Sequence, residues 1–245
     1  AWGGRTFPLL TNIPPGLSDV IAIRAGASHS LALRADGNVV AWGDNQWAQC
    51  MVPGSFRDVV QIAASGRHAL ALKSDTTVVA WGDDVEGEST VPVGLAGVVE
   101  IAAGSGCSLA LKSNGTVVAW GGRAYPTRTN MPPGLSDVTA IRAGGGHSLA
   151  LKSDGTVVAW GFNPNGQTNI PSGLGNVIGI AAGPNHSLAL RSDGTVVAWG
   201  GNESGQTLVP EGLDRVVGVA IGELQSLAHK VDGTVVAWGR NDKGQ

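Results

Sequence analysis

The segment Ile180-Ala-Ala-Gly-Pro-Asn-His-Ser-Leu-Ala-Leu-Arg-Ser-Asp-Gly-Thr-Val-Val-Ala-Trp199 decides the fold, because the chain of 245 residues repeats it with small changes. The tripeptide Ala-Trp-Gly that ends each copy occurs seven times at spacings of 39 or 40 residues, with its tryptophan at Trp2, Trp42, Trp81, Trp120, Trp160, Trp199 and Trp238. Such a unit must stack on copies of itself to bury its apolar surface. The sequence therefore predicts a repeat architecture.

Each repeat predicts four short strands, named A to D. Strand A is the run from Val177 to Ala182, strand B is His-Ser-Leu-Ala-Leu-Arg, and strand C is Thr-Val-Val-Ala-Trp. Strand D surrounds the Val-Pro at Val209, where proline marks an edge strand. The link between strands B and C is Asp-Gly or Asn-Gly, which is typical of a two-residue hairpin turn. Asp75-Thr76 replaces it in the second repeat and predicts a turn that is slightly strained or differently shaped.

Strands B and C are apolar on both faces, so both faces must be covered. Four-stranded sheets standing side by side in a ring satisfy this requirement and protect the sheet edges. The sequence predicts an all-β fold, a β-propeller, as one domain over residues 1–245. Six complete repeats favour six blades. The last blade is expected to take its strand D from residues 11 to 17, so that strands from both termini close the ring.

The net charge and the lack of a long apolar run exclude two classes of partner. The net charge is −3, and this acidic balance argues against a nucleic-acid partner. The absence of any run of 18 apolar residues predicts a soluble protein without a membrane partner. No pattern in the chain calls for a cofactor.

His29, His68, His147 and His186 occupy one repeated position. Equivalent points on different blades are too far apart to share a metal ion, so a structural hydrogen-bonding role is the better interpretation. Asp44, Asp83, Asp84, Glu86 and Glu88 fall in two neighbouring C–D loops. Their spacing matches no calcium loop and indicates a solvated surface. We predict no metal site, no catalytic residue and no enzymatic activity.

The candidate binding residues lie in loops and at strand ends. Trp47 is the one tryptophan outside the motif, and Phe162 is a second loop aromatic. Residues 1–30 match residues 119–148 at 22 of 30 positions. Both copies carry an arginine and an aromatic residue in the loop and an arginine at the end of strand A, namely Arg5, Phe7 and Arg24 in the first copy and Arg123, Tyr125 and Arg142 in the second.

Two interpretations of this duplication stay open. Neutral inheritance of a copied triplet of repeats explains it without function. The functional alternative is two equivalent pockets, in which arginine offers a planar fork for carboxylate or phosphate and the ring offers an apolar face. In an up-and-down blade the A–B turn and the C–D loop share a face, so these residues are expected to lie together on it.

The repeat resembles those of the regulator of chromosome condensation superfamily. The spacing, the Ala-Trp-Gly and the Gly-Gln that follows it are most similar to a short bacterial branch, which includes a propeller-type β-lactamase inhibitory protein. The resemblance implies a propeller that serves as a protein-binding platform. Family members typically have seven blades, which this chain would reach if it is truncated. The resemblance and the N-terminus without methionine favour an extracellular location.

Three functions follow in order. The first is a non-catalytic module that binds a protein through the face of A–B turns and C–D loops. The alternative is a lectin-like or anionic-ligand binder that uses the repeated arginine–aromatic loops. The second alternative is a β-lactamase inhibitor-like protein, although the A–B turns lack the aromatic residues that the resemblance implies for docking on that enzyme.

Overall fold

Six three-stranded antiparallel sheets, one for each complete repeat, make up the computed structural model of the protein, which describes residues 12–54 and 56–242. The three strands of each sheet are the predicted A, B and C in that order. In chain order they are β1 (Val20–Ala25), β2 (His29–Arg34), β3 (Val39–Gly43), β4 (Val59–Ser65), β5 (His68–Lys73), β6 (Val78–Gly82), β7 (Val98–Gly104), β8 (Cys107–Lys112), β9 (Val117–Gly121), β10 (Val138–Ala143), β11 (His147–Lys152), β12 (Val157–Gly161), β13 (Val177–Ala182), β14 (His186–Arg191), β15 (Val196–Gly200), β16 (Val216–Ile221), β17 (Gln225–Lys230) and β18 (Val235–Gly239). A 3-10 turn at Pro126–Arg128 follows β9.

The prediction of six blades is confirmed, and each sheet is called a blade below. The chain divides into two compact units, residues 1–126 with blades one to three and residues 127–245 with blades four to six. The expected single domain over residues 1–245 stays a prediction, whereas residues 12–17 of the expected closing segment form no strand.

The predicted fourth strand is wrong for the described part of the chain, where no D segment joins a sheet. Proline has no N–H to donate to a ladder, and the sequence Pro-x-Gly-Leu turns instead of extending. The amide of Leu95 donates to the carbonyl of Pro92 at 3.2 Å across such a turn, with Gly94 at a φ of +79°. Residues 12–17, expected to supply the closing strand, contain the same turn from Pro14 to Leu17. Among residues 12–54 and 56–242, each blade therefore has three strands instead of four.

The B–C hairpins form at the predicted positions, but the predicted two-residue turn is wrong. The amide of Arg34 donates to the carbonyl of Asn38 across a loop of three residues, in which Gly37 has a positive φ and Asp36 does not. Glycine occupies the left-handed position in five of them, as at Gly37 with a φ of +76°. Thr76 occupies the same position with a φ of +68°, and its amide donates to the carbonyl of Lys73 as the amide of Gly37 donates to Arg34. The second hairpin thus keeps the common shape with a β-branched residue in a conformation that costs it about 1–2 kcal/mol.

Neighbouring blades pack two different faces against each other. We call one the back face, formed by the two strand-B leucines and the first valine of strand C. The other is the front face, formed by the strand-A residues equivalent to Val59 and Ile62 and by the motif tryptophan. In the first unit the back face of blade one, with Leu31 and Leu33, packs on the front face of blade two. The same front-to-back packing joins blades two and three, four and five, and five and six.

Within a blade, the A–B turn and the C–D loop lie at the same edge, as predicted. The amide of Asp83, which begins the second C–D loop, donates to the carbonyl of Arg67 in the A–B turn of the same blade at 3.0 Å. Phe162 and Gly146 repeat this bond at 2.8 Å in the fourth blade. We call this edge the loop rim. No helical segment among the described residues has the length and apolar character needed to span a bilayer.

Candidate functional site

Each regular C–D loop is held from inside by a buried residue that follows a residue with a positive φ, which is Ala48 in the first loop and glycine in the others. In the first loop the side-chain oxygen of Gln49 accepts a hydrogen bond from the amide of Trp47 at 2.8 Å, and its nitrogen donates to Asp44 at 3.1 Å. Gln167 and Gln206 accept equivalent backbone bonds in later loops. The loop tips are thereby fixed in position, and they present residues such as Trp47 on a rigid support.

The backbone carbonyl of the same buried residue anchors the next blade. The carbonyl of Glu88 in the second C–D loop accepts hydrogen bonds from the indole of Trp120 and the hydroxyl of Ser108, both at 2.9 Å. Gln167 and Gln206 repeat this double acceptance in the second unit. The loop rim is therefore connected directly to the core of the following blade.

The repeated histidines complete this network. The Nε2 atom of His68 lies 2.9 Å from Ser108 Oγ, and His147 and His186 make the same contact with Ser187 and Ser226. Burial lowers the pKa of His68 to about 4, so its imidazole is neutral at physiological pH. The predicted structural, hydrogen-bonding role is confirmed for these three histidines, whereas His29 is buried without a hydrogen-bond partner among the described residues.

Trp47 lies at the tip of the first C–D loop and forms a cation–π pair. Its side chain is 38% exposed, and the guanidinium carbon of Arg67 lies 5.0 Å from the ring centroid. Arg67 comes from the A–B turn of the second blade, so two blades contribute to this contact. The sequence analysis missed Arg67 as a candidate, although it is the one basic residue in the six A–B turns.

The C–D loop after β9 lies on the C–D loop before it. The amide of Arg123 donates to the carbonyl of Glu86 at 3.1 Å, and the amide of Ala124 donates to the Glu86 carboxylate at 2.7 Å. The Arg123 side chain lies against Gly87, where an added Cβ would stand 2.8 Å from its Nε. Tyr125 is exposed two residues further on. The structure thus brings Arg123 and Tyr125 beside the acidic second loop.

The other predicted site residues are more scattered. Phe162 is exposed at the start of a C–D loop in the second unit. Arg24 and Arg142 lie in their A strands, and each donates to the backbone carbonyl of the preceding residue, at 2.8 Å for Arg24 and 2.6 Å for Arg142. Arg5 and Phe7 lie outside the described residues. The two predicted arginine–aromatic pockets stay a prediction.

The acidic residues of the second loop stabilise its backbone. Asp83 accepts from the amide of Val85 at 3.0 Å, and Asp84 accepts from the amide of Ser89 at 2.9 Å. Glu88 accepts from the amide of Glu86, and burial raises the pKa of its carboxyl. Within residues 12–54 and 56–242, no cluster of three or more His, Cys, Asp or Glu side chains could hold a metal ion.

The sequence profile of the regulator of chromosome condensation (RCC1) repeat matches four segments, residues 20–46, 59–88, 138–167 and 177–206. No curated protein sequence matches the chain at a significant level.

Solved structures give the same architecture. Yeast RCC1 (Prp20), crystallised bound to Kap60, has a TM-score of 0.76 at 23% identity over 96% of this chain and 75% of that chain. A second structure of Prp20p from Saccharomyces cerevisiae, studied with its binding to Gsp1p and histones, has a TM-score of 0.76 at 23% identity over 93% and 73% of the two chains. The CRINKLY WD40 ectodomain of the Arabidopsis thaliana receptor kinase ACR4 has a TM-score of 0.73 at 20% identity over 94% and 83%. These likenesses show a β-propeller fold.

Proposed function

Because four segments of this chain match the regulator of chromosome condensation repeat and its fold is that of a propeller, we propose that it is a non-catalytic module that binds another protein through its loop rim. Yeast Prp20, which shares the fold, binds protein partners, including Kap60. We propose for this chain only the general role of binding a protein, and none of the partners of Prp20.

One feature of the first unit carries the proposal. The loop rim there presents Trp47, Arg67, Val85, Arg123 and Tyr125, which we call the rim patch. Its two ends are the Trp47–Arg67 pair, with the ring centroid 5.0 Å from the guanidinium carbon, and the loop of Arg123 and Tyr125 held on Glu86. Tryptophan, tyrosine and arginine are the residue types that dominate binding energy at protein interfaces. The fixed loops reduce the entropy lost on binding.

The charges of the rim patch favour a protein over an anion or an acidic glycan. Arg123 lies against a loop that carries Asp83, Asp84 and Glu86, so its positive charge is offset by neighbouring carboxylates. A surface with both signs suits a protein partner with complementary charges. The lectin-like and β-lactamase inhibitor-like alternatives rest on weaker support.

The interior of the blades argues against hydrolytic chemistry. His68 and Ser108 are at hydrogen-bond distance, as a base and nucleophile would be, but both are buried. The hydroxyl hydrogen of Ser108 goes to the carbonyl of Glu88, so the imidazole acts as donor to the hydroxyl. A serine in this arrangement is held by its neighbours and has no base to activate it.

Site-directed crosslinking tests the proposed function. A photoreactive phenylalanine analogue is placed at position 47 or 125, and at the exposed position Val93 as a matched control. We expect crosslinks to one protein of the source organism from positions 47 and 125 and none from position 93. Binding of that protein should weaken at least tenfold in Trp47→Ala and Arg67→Ala and stay unchanged in Val93→Ser.

Equal capture at all three positions, or unchanged affinity in both rim-patch variants, would rule out the rim patch as the interface. A glycan array and a β-lactamase inhibition assay with the same variants test the two alternatives. Binding or inhibition that is lost in Arg123→Ala would replace the proposal with the corresponding alternative.

A further inference from the structure

The chain contains two asparagine–glycine dipeptides, Asn114-Gly115 and Asn165-Gly166. In such a dipeptide the backbone nitrogen of glycine can attack the side-chain carbonyl carbon of asparagine, because glycine has no side chain to hinder the approach. The attack converts the asparagine to an acid without an enzyme. Hydrogen bonds to either reacting group oppose it in a folded protein, and the two dipeptides differ in these bonds.

Both reacting groups are held at Asn114. Its side-chain oxygen accepts hydrogen bonds from the amide of Thr116 at 3.1 Å and from the Thr116 hydroxyl at 2.7 Å. The amide of Gly115 donates to the carbonyl of Lys112 at 2.9 Å. These bonds fix the carboxamide within the B–C turn and keep the proton on the attacking nitrogen. The folded structure therefore opposes the reaction at this dipeptide.

The side chain of Asn165, at the tip of the C–D loop after β12, is held by no such bonds. It is exposed, and its carboxamide makes no hydrogen bond to the described residues. Only its backbone amide is bonded, to the side-chain oxygen of Gln167 at 3.0 Å. The amide of Gly166 donates to the carbonyl of Asn163 at 3.3 Å, which is longer than a strong hydrogen bond of this type. The attacking nitrogen and the carbon that it attacks are therefore both accessible.

From this contrast we propose that Asn165 is a site of spontaneous deamidation in the folded protein, whereas Asn114 is protected. The nitrogen of Gly166 gives its proton to hydroxide and forms a bond to Cγ of Asn165. The bond from Cγ to Nδ2 then breaks, and the leaving nitrogen takes a proton from water and departs as ammonia. Water opens the resulting cyclic imide at either carbonyl, which gives aspartate or isoaspartate. The net reaction consumes asparagine and water and produces an acid and ammonia, with no change in oxidation state.

Deamidation would change an uncharged part of the loop rim. The Cβ atoms of Asn165 and Asn185, from neighbouring blades, lie 3.6 and 3.3 Å from the point where a Cβ on Gly201 would stand. None of these three residues is charged, so the product introduces a negative charge there. Isoaspartate also lengthens the main chain just before Gln167, whose carbonyl accepts the indole N–H of Trp199 at 2.9 Å. That product is therefore expected to loosen the boundary between blades four and five.

Incubation of the protein at pH 8 tests the proposal, because both dipeptides are followed in one sample. Mass spectrometry of proteolytic peptides measures the conversion of each asparagine, and labelling by protein isoaspartyl methyltransferase detects isoaspartate. We expect Asn165 to convert at least tenfold faster than Asn114 in the folded protein. In concentrated urea, where neither side chain is held, the two rates should be similar.

Gly166→Ala is the matched variant, because Ala48 has a φ of +61° at the equivalent position of the first C–D loop and alanine is thus compatible with this conformation. Its methyl group hinders the attack and should slow the conversion of Asn165 at least tenfold. Equal rates at the two dipeptides in the folded protein, or an unchanged rate in Gly166→Ala, would overturn the proposal.

Two further outcomes would also overturn it. Aspartate without isoaspartate at position 165 would indicate direct hydrolysis of the side chain instead of a cyclic imide. A tenfold difference between the dipeptides that persists in urea would show that local sequence, and not the folded structure, sets the two rates. Asn165 is not part of the rim patch, so none of these results decides the proposed function.

Discussion

The Nε2 atom of His68 lies 2.9 Å from the hydroxyl oxygen of Ser108, which belongs to the next blade. The hydroxyl in turn donates to the carbonyl of Glu88, which also receives the indole N–H of Trp120. Four groups from two blades thus form one buried chain of hydrogen bonds. Such a network strengthens the interface when it is complete and weakens it when one member is missing.

The first blade interface lacks one member of this network. Ala69 replaces serine opposite His29, and both ring nitrogens of His29 are buried without a partner among the described residues. We expect Ala69→Ser to raise the free energy of unfolding by about 1 kcal/mol, because the new hydroxyl would accept from His29 and donate to the carbonyl of Gln49. Urea unfolding at pH 7 measures the difference. Ala71→Ser, equally buried and without an imidazole opposite it, is the control and should destabilise the protein.

The buried histidines predict a loss of stability in mild acid. Burial lowers the pKa of His29, His68, His147 and His186 from 6.5 to about 4. In the unfolded chain they take up protons near pH 6.5, while the folded protein takes them up only near pH 4. The free energy of unfolding should therefore fall from about pH 6.5 down to about pH 4, on the order of 2–3 kcal/mol for each histidine.

His68→Gln tests this origin, because the last blade carries Gln225 at the same position. The variant should lose less stability between pH 7 and pH 4.5 than the wild type, as measured by urea unfolding at both values. An identical loss in the two proteins would show that other groups cause the acid sensitivity.

Glu88 gives a pH dependence of opposite sign. It occupies the position of Gln49, Gln167 and Gln206, and burial together with Asp83 and Asp84 raises the pKa of its carboxyl. An acid whose pKa is higher in the folded state contributes most below its unfolded pKa and loses this contribution as the pH rises through the folded value. We expect Glu88→Gln to stabilise the protein by about 1 kcal/mol at pH 8 and to have little effect at pH 4. Gln49→Glu should produce the reverse change at pH 8.

Thr76 is a strained residue whose replacement should help. It has a φ of +68° in a turn where the other blades have glycine. Thr76→Gly is expected to raise the free energy of unfolding by about 1 kcal/mol, since relief of strain outweighs loss of the exposed 3.2 Å bond from the amide of Gly97. Gly233→Thr places the same side chain at the equivalent turn, where nothing lies within 4 Å of the added Cβ. A stabilising Gly233→Thr would contradict the strain argument.

The sequence allowed prediction of the six sheets, the positions of the hairpins and the role of three of the four repeated histidines, because these features depend on local chemistry that recurs from blade to blade. The prediction of a fourth strand was wrong because a Pro-x-Gly-Leu turn, as at Pro92 and Leu95, forms in place of the extended strand that the apolar pattern around it predicts. Of the Trp47–Arg67 pair, the sequence predicted only Trp47, because it is the one tryptophan outside the repeated motif. Recognising Arg67 requires the spatial relation between the C–D loop of one blade and the A–B turn of the next, which no local pattern encodes.

Because one C–D loop carbonyl accepts hydrogen bonds from two side chains of the next blade, the spacing between repeats limits which changes in chain length the fold can tolerate. His68, His147 and His186 are each satisfied by the blade after them, and four of the motif tryptophans by the loop before them, at fixed offsets along the chain. Loss or gain of a whole 39-residue period by recombination would rejoin equivalent groups and keep every pair intact. An insertion or deletion of any other size between the paired residues would shift donors away from their acceptors, so genetic exchange in this gene is tolerated chiefly in whole-repeat steps.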